Sequence, residues 1–347
     1  MSPLLITPLL AASSCIILLL FAQKVFPRIG LVDSPKKYGL KRRPLPYPTG
    51  MIPVGVFLIV LLGNEFWNRQ IIGIAISIIL LLIVTFLDDR FTVAPVTRLG
   101  VHVMIGLILF LTGTHIYTLT NPLESMTGIP LIPLDIIDIT LPYFGTLPFL
   151  SGLFTIGWIV FTINALNWFD GIAGQVSSLT TIGFLTIGFL ALSTRVDQSQ
   201  LALLTFSLAG ISFSCLLFDF PPARMLMGDT GAMFFGLMLG ILTIFAGGKV
   251  ATGFLVLGLP LIDCLIVSMW RILKRKSPFL GSRHGEHLHH LLLEKGWSES
   301  QIITLTAVLG SGFGVTALFL STGQKFIAAL IFIAIVLMLS RYARTSL

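Results

Sequence analysis

The side chains in this chain that could handle a charged substrate fall into a few short clusters. The densest is NALNWFDGIAG, residues 164–174. Asn164 and Asn167 are one helical turn apart, so on a continuing helix their amides share a face. Asp170-Gly171 then offers a turn where the backbone can come close to a bound group. FLDDR sets Asp88 and Asp89 side by side after an apolar run. That is a helix C-terminus, where the dipole disfavours carboxylates, so capping of their own helix gives no reason for them. MGDTGAMFFG places Asp229 at the start of another run, where an aspartate caps a helix well. Gly228, Gly231 and Gly236 beside it also suit close approach of a diphosphate to backbone amides. Asp263, in PLID, lies inside an apolar stretch, where an acid either pairs with another helix or serves function. RKSPFLGSRHGEHLHHLL carries His284, His287, His289 and His290. Zinc is the obvious ligand for such a run, but no cysteine is near and the segment is dense in Lys and Arg. Imidazoles donating to phosphate oxygens fit those surroundings better.

The elements that must hold these groups are membrane helices. The chain has 347 residues, of which 55% are hydrophobic and 11% charged, with a mean hydropathy of +0.97. No water-soluble domain hides that much apolar surface, so the expected fold is all-α and polytopic, a single transmembrane domain over 1–347. Cys15, Cys215 and Cys264 all lie in apolar runs, which argues against a disulfide framework. The first run has no basic residue before it and no A-x-A site after it, so it reads as a first span rather than a cleaved signal. The net charge of +7 comes without base-stacking or groove-reading modules, so nucleic acid is not the expected partner.

Eleven apolar runs occur, at about 4–22, 51–63, 71–87, 99–114, 152–163, 176–193, 201–218, 231–246, 251–270, 302–320 and 326–340. The second and fifth are short for a bilayer core of about 30 Å and are expected to extend further. With the N-terminus outside, eighteen of the 22 Lys and Arg residues fall on the inner side, the positive-inside orientation. The segment 115–150 is then outside; its alternating 137–141 stretch, bracketed by prolines, predicts a short outer β-hairpin. The inner side also collects Asp33, Asp88, Asp89, Asp170, Asp219, Asp229 and the four clustered histidines, with Asp263 in the inner half of its span. Acids and bases on one face suit a site that handles phosphates with a metal ion. Asp33, in VDSPKKYGLKRRPLPYPTG, sits in a basic Pro-rich loop that positive-inside charge mostly explains; phosphate steering is compatible with it.

Taken together, VDSP with its basic loop, FLDDR, NALNWFDGIAG, MGDTGAMFFG, PLID, and SPF followed by HLHHLL resemble the polyprenyl-phosphate N-acetylhexosamine-1-phosphate transferases (glycosyltransferase family 4), on the undecaprenyl-phosphate GlcNAc-1-phosphate transferase side. The six motifs recur in the family's order over residues 32–292. The resemblance implies attack of a polyprenyl phosphate on a UDP-amino sugar in the plasma membrane, with UMP leaving toward the cytoplasm. It implies Mg²⁺, with Mn²⁺ as substitute, held by Asn167 and Asp229. Asp88 and Asp89 would prepare the lipid phosphate, with a covalent intermediate as the competing scheme. Asn164, Asp170 and Gly171 would line the nucleotide side, and Arg271, His287, His289 and His290 would contact phosphate or sugar. Asp33 and Asp263 are further candidates, and a homodimer is compatible with all of this.

The chain also departs from the family pattern. Thr92 stands where a third acid is common, Tyr38-Gly39 and Lys41 replace an Arg-Lys and a His, and Thr49-Gly50 replaces a Gly-Gly pair. The stretch from Pro278 to His287 is long. The phospho-MurNAc-pentapeptide transferase branch is the nearest alternative; PLID and His-Leu-His-His argue against it. A secondary transporter would place its acids near mid-bilayer between internal repeats, and no repeat is visible.

Overall fold

A computed structural model describes residues 3–38, 42–63, 67–121, 124–141, 145–194, 196–246, 250–277 and 285–345. The chain is mostly helical. Its long apolar helices are α1 (Pro3–Val25), α2 (Met51–Leu62), α3 (Arg69–Phe91), α4 (Pro95–Leu111), α5 (Phe149–Phe169), α6 (Gln175–Leu192), α7 (Ser199–Asp219), α8 (Gly228–Phe245), α9 (Val250–Leu273), α10 (Glu299–Phe319) and α11 (Thr322–Arg344). Among the described residues, nine helices are long and apolar enough to cross a bilayer, and α2 and α4 are shorter. This makes the chain a multi-pass membrane protein. The fifth run does lengthen, to the 21 residues of α5. The second does not: α2 has 12 residues and ends at Leu62, with Gly63 as its C-cap.

Helix α8 is the axis of the bundle, with nearly every side chain from Thr230 to Ile244 buried; a helix apolar on all sides belongs inside. Small residues let α5 approach it. A Cβ on Gly236 would stand 2.7 Å from the Thr162 carbonyl oxygen, and one on Gly240 would stand 2.4 Å from Thr162 Oγ1. Such close backbone packing holds helices together where lipid removes the hydrophobic drive. Trp158 Nε1 locks the same crossing by donating to Gly240 O at 3.2 Å and Thr243 Oγ1 at 3.1 Å. Helix α1 packs on α7, α7 on α6, and α10 and α11 on α9. The outward faces of α1 and α11 expose Leu9, Leu10, Ile17, Phe21, Ile327 and Met338, a surface suited to lipid.

Between α4 and α5 lie two antiparallel strand pairs. β1 (Thr118–Thr120) pairs with β2 (Leu131–Pro133), and β3 (Asp138–Leu141) pairs with β4 (Gly145–Pro148), with Ile139 opposite Leu147. At the other end of the bundle, the first loop threads between helix ends. Val32 bridges Pro46, and Thr49 N and Gly50 N donate to the carbonyls of Leu226 and Met227 just before α8. Gly50 is needed there, because its Cβ would fall 2.3 Å from Gly231 N.

Candidate active site

The end of α3, the starts of α4 and α8 and the end of α5 meet around a group of carboxylates. Asp89 accepts from Tyr47 Oη at 2.6 Å, from Asp229 N at 3.0 Å, and from Thr230 N and Oγ1 at 3.2 and 2.7 Å. It therefore caps the N-terminus of α8 from another helix, satisfying donors that no intrahelical carbonyl can reach. Asp229 does not itself cap α8: the N-cap is Met227, without a side-chain cap bond, and toward Asp89 it is the Asp229 N–H that donates. Gly228 makes the junction, with φ of 73° and no room for a Cβ, which would lie 3.0 Å from the Asp89 oxygens.

Asp88 turns the other way. Its Oδ1 accepts from Val93 N at 2.6 Å, and its Oδ2 pairs with Arg98 at 2.5 Å. The same Arg98 nitrogen reaches Asp229 Oδ2 at 2.9 Å. Arg98 thus bridges the acid pair to the acid of α8. Of these side chains Asp229 is the most open, 35% exposed against 6% for Asp88. Asp229 faces the opening and Asp88 lies behind it.

Helix α5 continues through Asn167 and stops at Phe169, with Asp170 as its C-cap. Asn164 does not join the acids. Its amide nitrogen lies 3.1 Å from His102 Nδ1 and donates to Val160 O at 2.7 Å, so its expected nucleotide contact has a structural competitor in α4. Asn167 and Asp170 are partly buried, and no hydrogen bond involves either side chain among the described residues. Burial, then the charges of Asp229, Asp219 and Asp89, push the Asp170 carboxyl well above the usual aspartate range.

This donor set fits a magnesium ion. Several carboxylates crowd together with Arg98 as the cation in contact with them, and Asn167 leaves its carboxamide uncommitted. Hard oxygen ligands in small number, completed by substrate oxygens and water, are what Mg²⁺ takes. Among the described residues no three His, Cys, Asp or Glu side chains gather as a metal cluster.

The histidines flank this group. A Cβ on Gly171 would stand 1.9 Å from His289 Nε2, so the glycine of NALNWFDGIAG is the seat of the second motif histidine. His287 and His289 stack with 5.8 Å between ring centroids, and His287 lies 5.8 Å from Trp168. Asp263 ties them down: Oδ2 is 2.7 Å from His287 Nδ1, and Oδ1 accepts from Leu288 N at 3.0 Å, the start of a two-turn helix, Leu288–Glu294. Asp263 is thus hydrogen-bonded across elements to the histidine motif. Arg271 comes from the end of α9. It is fully buried, gives two nitrogens to Glu286 Oε2 at 2.9 and 2.5 Å, and lies 5.2 Å from the Trp168 ring centre. It supports the wall of the site from behind.

Asp33 is held by Arg42 at 2.6 Å and by Leu45 N at 2.7 Å. It shapes the first loop, and no described contact joins it to the acid group. Gly39, Lys41, Arg283, His284 and the Pro278-Phe279 part of SPF lie outside the described residues. Arg98, Tyr47, Thr230 and Glu286 are site residues that sequence reasoning did not single out; Arg98 was visible only as an inner-side charge soon after FLDDR.

Polar groups gathered at one end of an apolar helical bundle, with carboxylates from three helix ends and an arginine from a fourth, define a membrane enzyme for phosphorylated substrates. The family can be stated. The profile of glycosyl transferase family 4 matches residues 71–247, just over half of the chain, and the chain belongs to that family. It is 24% identical over 335 residues to a probable undecaprenyl-phosphate N-acetylglucosaminyl 1-phosphate transferase of Bacillus subtilis, covering 91% of this chain and 85% of the relative. It is 26% identical to the undecaprenyl-phosphate alpha-N-acetylglucosaminyl 1-phosphate transferase of Escherichia coli K12, and 28% identical to that of Yersinia pestis. Each of these covers 86% of this chain and 80% of the relative. The chain is thus a membrane-bound glycosyl-1-phosphate transferase.

Proposed function

We propose that this protein transfers N-acetylhexosamine-1-phosphate from a UDP-sugar to polyprenyl phosphate, giving polyprenyl-diphosphate-sugar and UMP. The observation that carries this reading is the bridge Asp88–Arg98–Asp229, set beside the crowded Asp170 and the Gly171–His289 contact. A lipid phosphate oxygen attacks the sugar-bearing phosphorus; that P–O bond forms as the P–O bond to UMP breaks. Asp88 takes the proton of the lipid phosphate or orients it, and Arg98 holds Asp88 in place. Asn167 and Asp229 would hold Mg²⁺, which neutralises diphosphate charge; charge neutralisation and in-line positioning are what phosphoryl transfer needs most. Asp89 acts through structure, presenting Asp229 by fixing the first turn of α8. Asp170 and Gly171 border the nucleotide side, and the motif histidines border the sugar phosphate.

The chain is read as one transferase domain whose eleven helices all cross the plasma membrane. The N-terminus and both strand pairs are outside, and the C-terminus and the site are cytoplasmic, on the basic-residue asymmetry. The relatives' names favour an N-acetylglucosamine donor over a MurNAc-pentapeptide. The test is UMP release by the purified protein with undecaprenyl phosphate and a panel of UDP-sugars. Release with UDP-N-acetylhexosamines supports the reading, and release with UDP-MurNAc-pentapeptide alone would move the chain to the other branch.

A further inference from the structure

The pairing of Asp263 with the histidine motif has a consequence for the chemistry of His287. Asp263 comes from the middle of α9, and its two oxygens are both used, Oδ2 at 2.7 Å from His287 Nδ1 and Oδ1 at 3.0 Å from Leu288 N. The acid is 5% exposed and His287 is not exposed at all. A carboxylate can only accept, so Nδ1 must carry the proton. The other ring nitrogen, Nε2, is buried and has no hydrogen-bond partner. An unpartnered buried nitrogen is costly, an arrangement that persists where a ligand supplies the partner. The ring is clamped between Trp168 and His289, and His289 rests on Gly171. Nε2 therefore belongs to the layer between the NALNWFDG motif and the histidine motif.

We propose that Asp263 is a positioning residue for the transfer: it fixes the proton on His287 Nδ1, leaving Nε2 as an acceptor for a hydroxyl or N-acetyl N–H of the donor's sugar. This rests on the transfer reading above and names one contact within it. The same carboxylate anchors the short helix, so orientation and tautomer are set together, as in the outer-sphere partners of other functional histidines. The charged and titratable groups around this pair among the described residues include Cys264 beside Asp263, His289 and His290 on the same helix, the Arg271–Glu286 pair behind Trp168, and Arg344, which donates to Glu286 O at 3.1 Å.

Asp263→Asn separates anchoring from tautomer. Its carboxamide oxygen can still accept from Leu288 N, but its NH₂ group then donates to His287 Nδ1 and forces the proton onto Nε2. Holding the wrong tautomer costs catalysis by orders of magnitude where this has been isolated. The expected loss here is at least about a hundredfold in kcat, with a smaller change in KM for the UDP-sugar. His287→Gln can present its carboxamide oxygen as an acceptor near the Nε2 position and no longer depends on Asp263. The double variant should accordingly be no worse than His287→Gln alone, a strongly non-additive cycle. Nitrogen NMR of histidine-labelled full-length protein in detergent gives a readout that needs no turnover: His287 should carry its proton on Nδ1 in the wild type and on Nε2 in Asp263→Asn. An unprotonated Nδ1 in the wild type, or single effects that simply add, overturns the proposal. Failure of the wild type to release UMP would instead count against the transfer reading, while leaving the tautomer result readable.

Discussion

Asp89→Asn should destabilise the protein as well as inactivate it, because Asp89 holds α8 from outside. Its carboxylate accepts four hydrogen bonds, from Tyr47, from the Asp229 N–H, and from the Thr230 N–H and hydroxyl. In Asp89→Asn the carboxamide oxygen keeps one pair as neutral bonds, and the NH₂ group faces the two Thr230 donors. The hydroxyl can turn and accept; the backbone N–H cannot. A bond to a charged acceptor contributes roughly 1.5–3 kcal/mol, and a stranded buried donor costs about 1–3 kcal/mol. One bond lost outright and the charge removed from two others sum to on the order of 4 kcal/mol. Asp88→Asn loses mainly its pairing with Arg98, which keeps Asp229 as a partner, so about half that cost is expected. The assay is the unfolding midpoint of the detergent-solubilised variants, followed by tryptophan fluorescence. Mg²⁺-dependent UDP-sugar binding should also weaken in Asp89→Asn, since the first turn of α8 carries Asp229, and should persist in Asp88→Asn. Equal midpoints for Asp89→Asn and the wild type would refute the cross-helix cap.

Further outcomes follow from the same geometry. Asp229→Asn should lose metal-dependent nucleotide binding and at least about a hundredfold of turnover, measured by calorimetry and UMP release. Gly171→Ala should cost activity with the bundle intact, because its methyl needs the space of His289 Nε2, 1.9 Å away; circular dichroism beside turnover checks this. Burial and neighbouring acids raise the Asp170 carboxyl above its ordinary 3.8. The folded state therefore binds the proton more tightly, and stability falls as pH rises from near 4 through the raised value. In metal-free protein Asp170→Asn should be more stable than the wild type at about pH 8, with the gain vanishing near pH 4, in unfolding midpoints across pH. Cysteine reporters near Gly128 should label from outside with an impermeant reagent, and reporters near Gly285 should not.

The helices and the gathering of motifs at one end were legible in the sequence, because apolar runs and charge asymmetry are local signals. The connection between motifs was not. Asp89 had no role within its own helix, and its partner Thr230 lies 141 positions away. Arg98 looked like ordinary inner-side charge until it was found between Asp88 and Asp229. Asp263 could be read as paired or functional, and only folding brings His287 to it. Arg271, a basic residue near a phosphate site, invites a phosphate role, and its pairing with Glu286, 15 positions on, is not a local signal. Local rules test a residue against its neighbours in sequence, whereas a site between helix ends is built from pairs that local rules do not compare.

The central claim is that the phosphorus next to the sugar moves with the sugar. It is tested by giving the purified protein, undecaprenyl phosphate and Mg²⁺ a UDP-N-acetylglucosamine labelled at that phosphorus. Label is expected in a lipid diphosphate sugar, with equimolar unlabelled UMP, and both should be lost in Asp229→Asn. Label retained in released UDP, or transfer undiminished in Asp229→Asn, would contradict it.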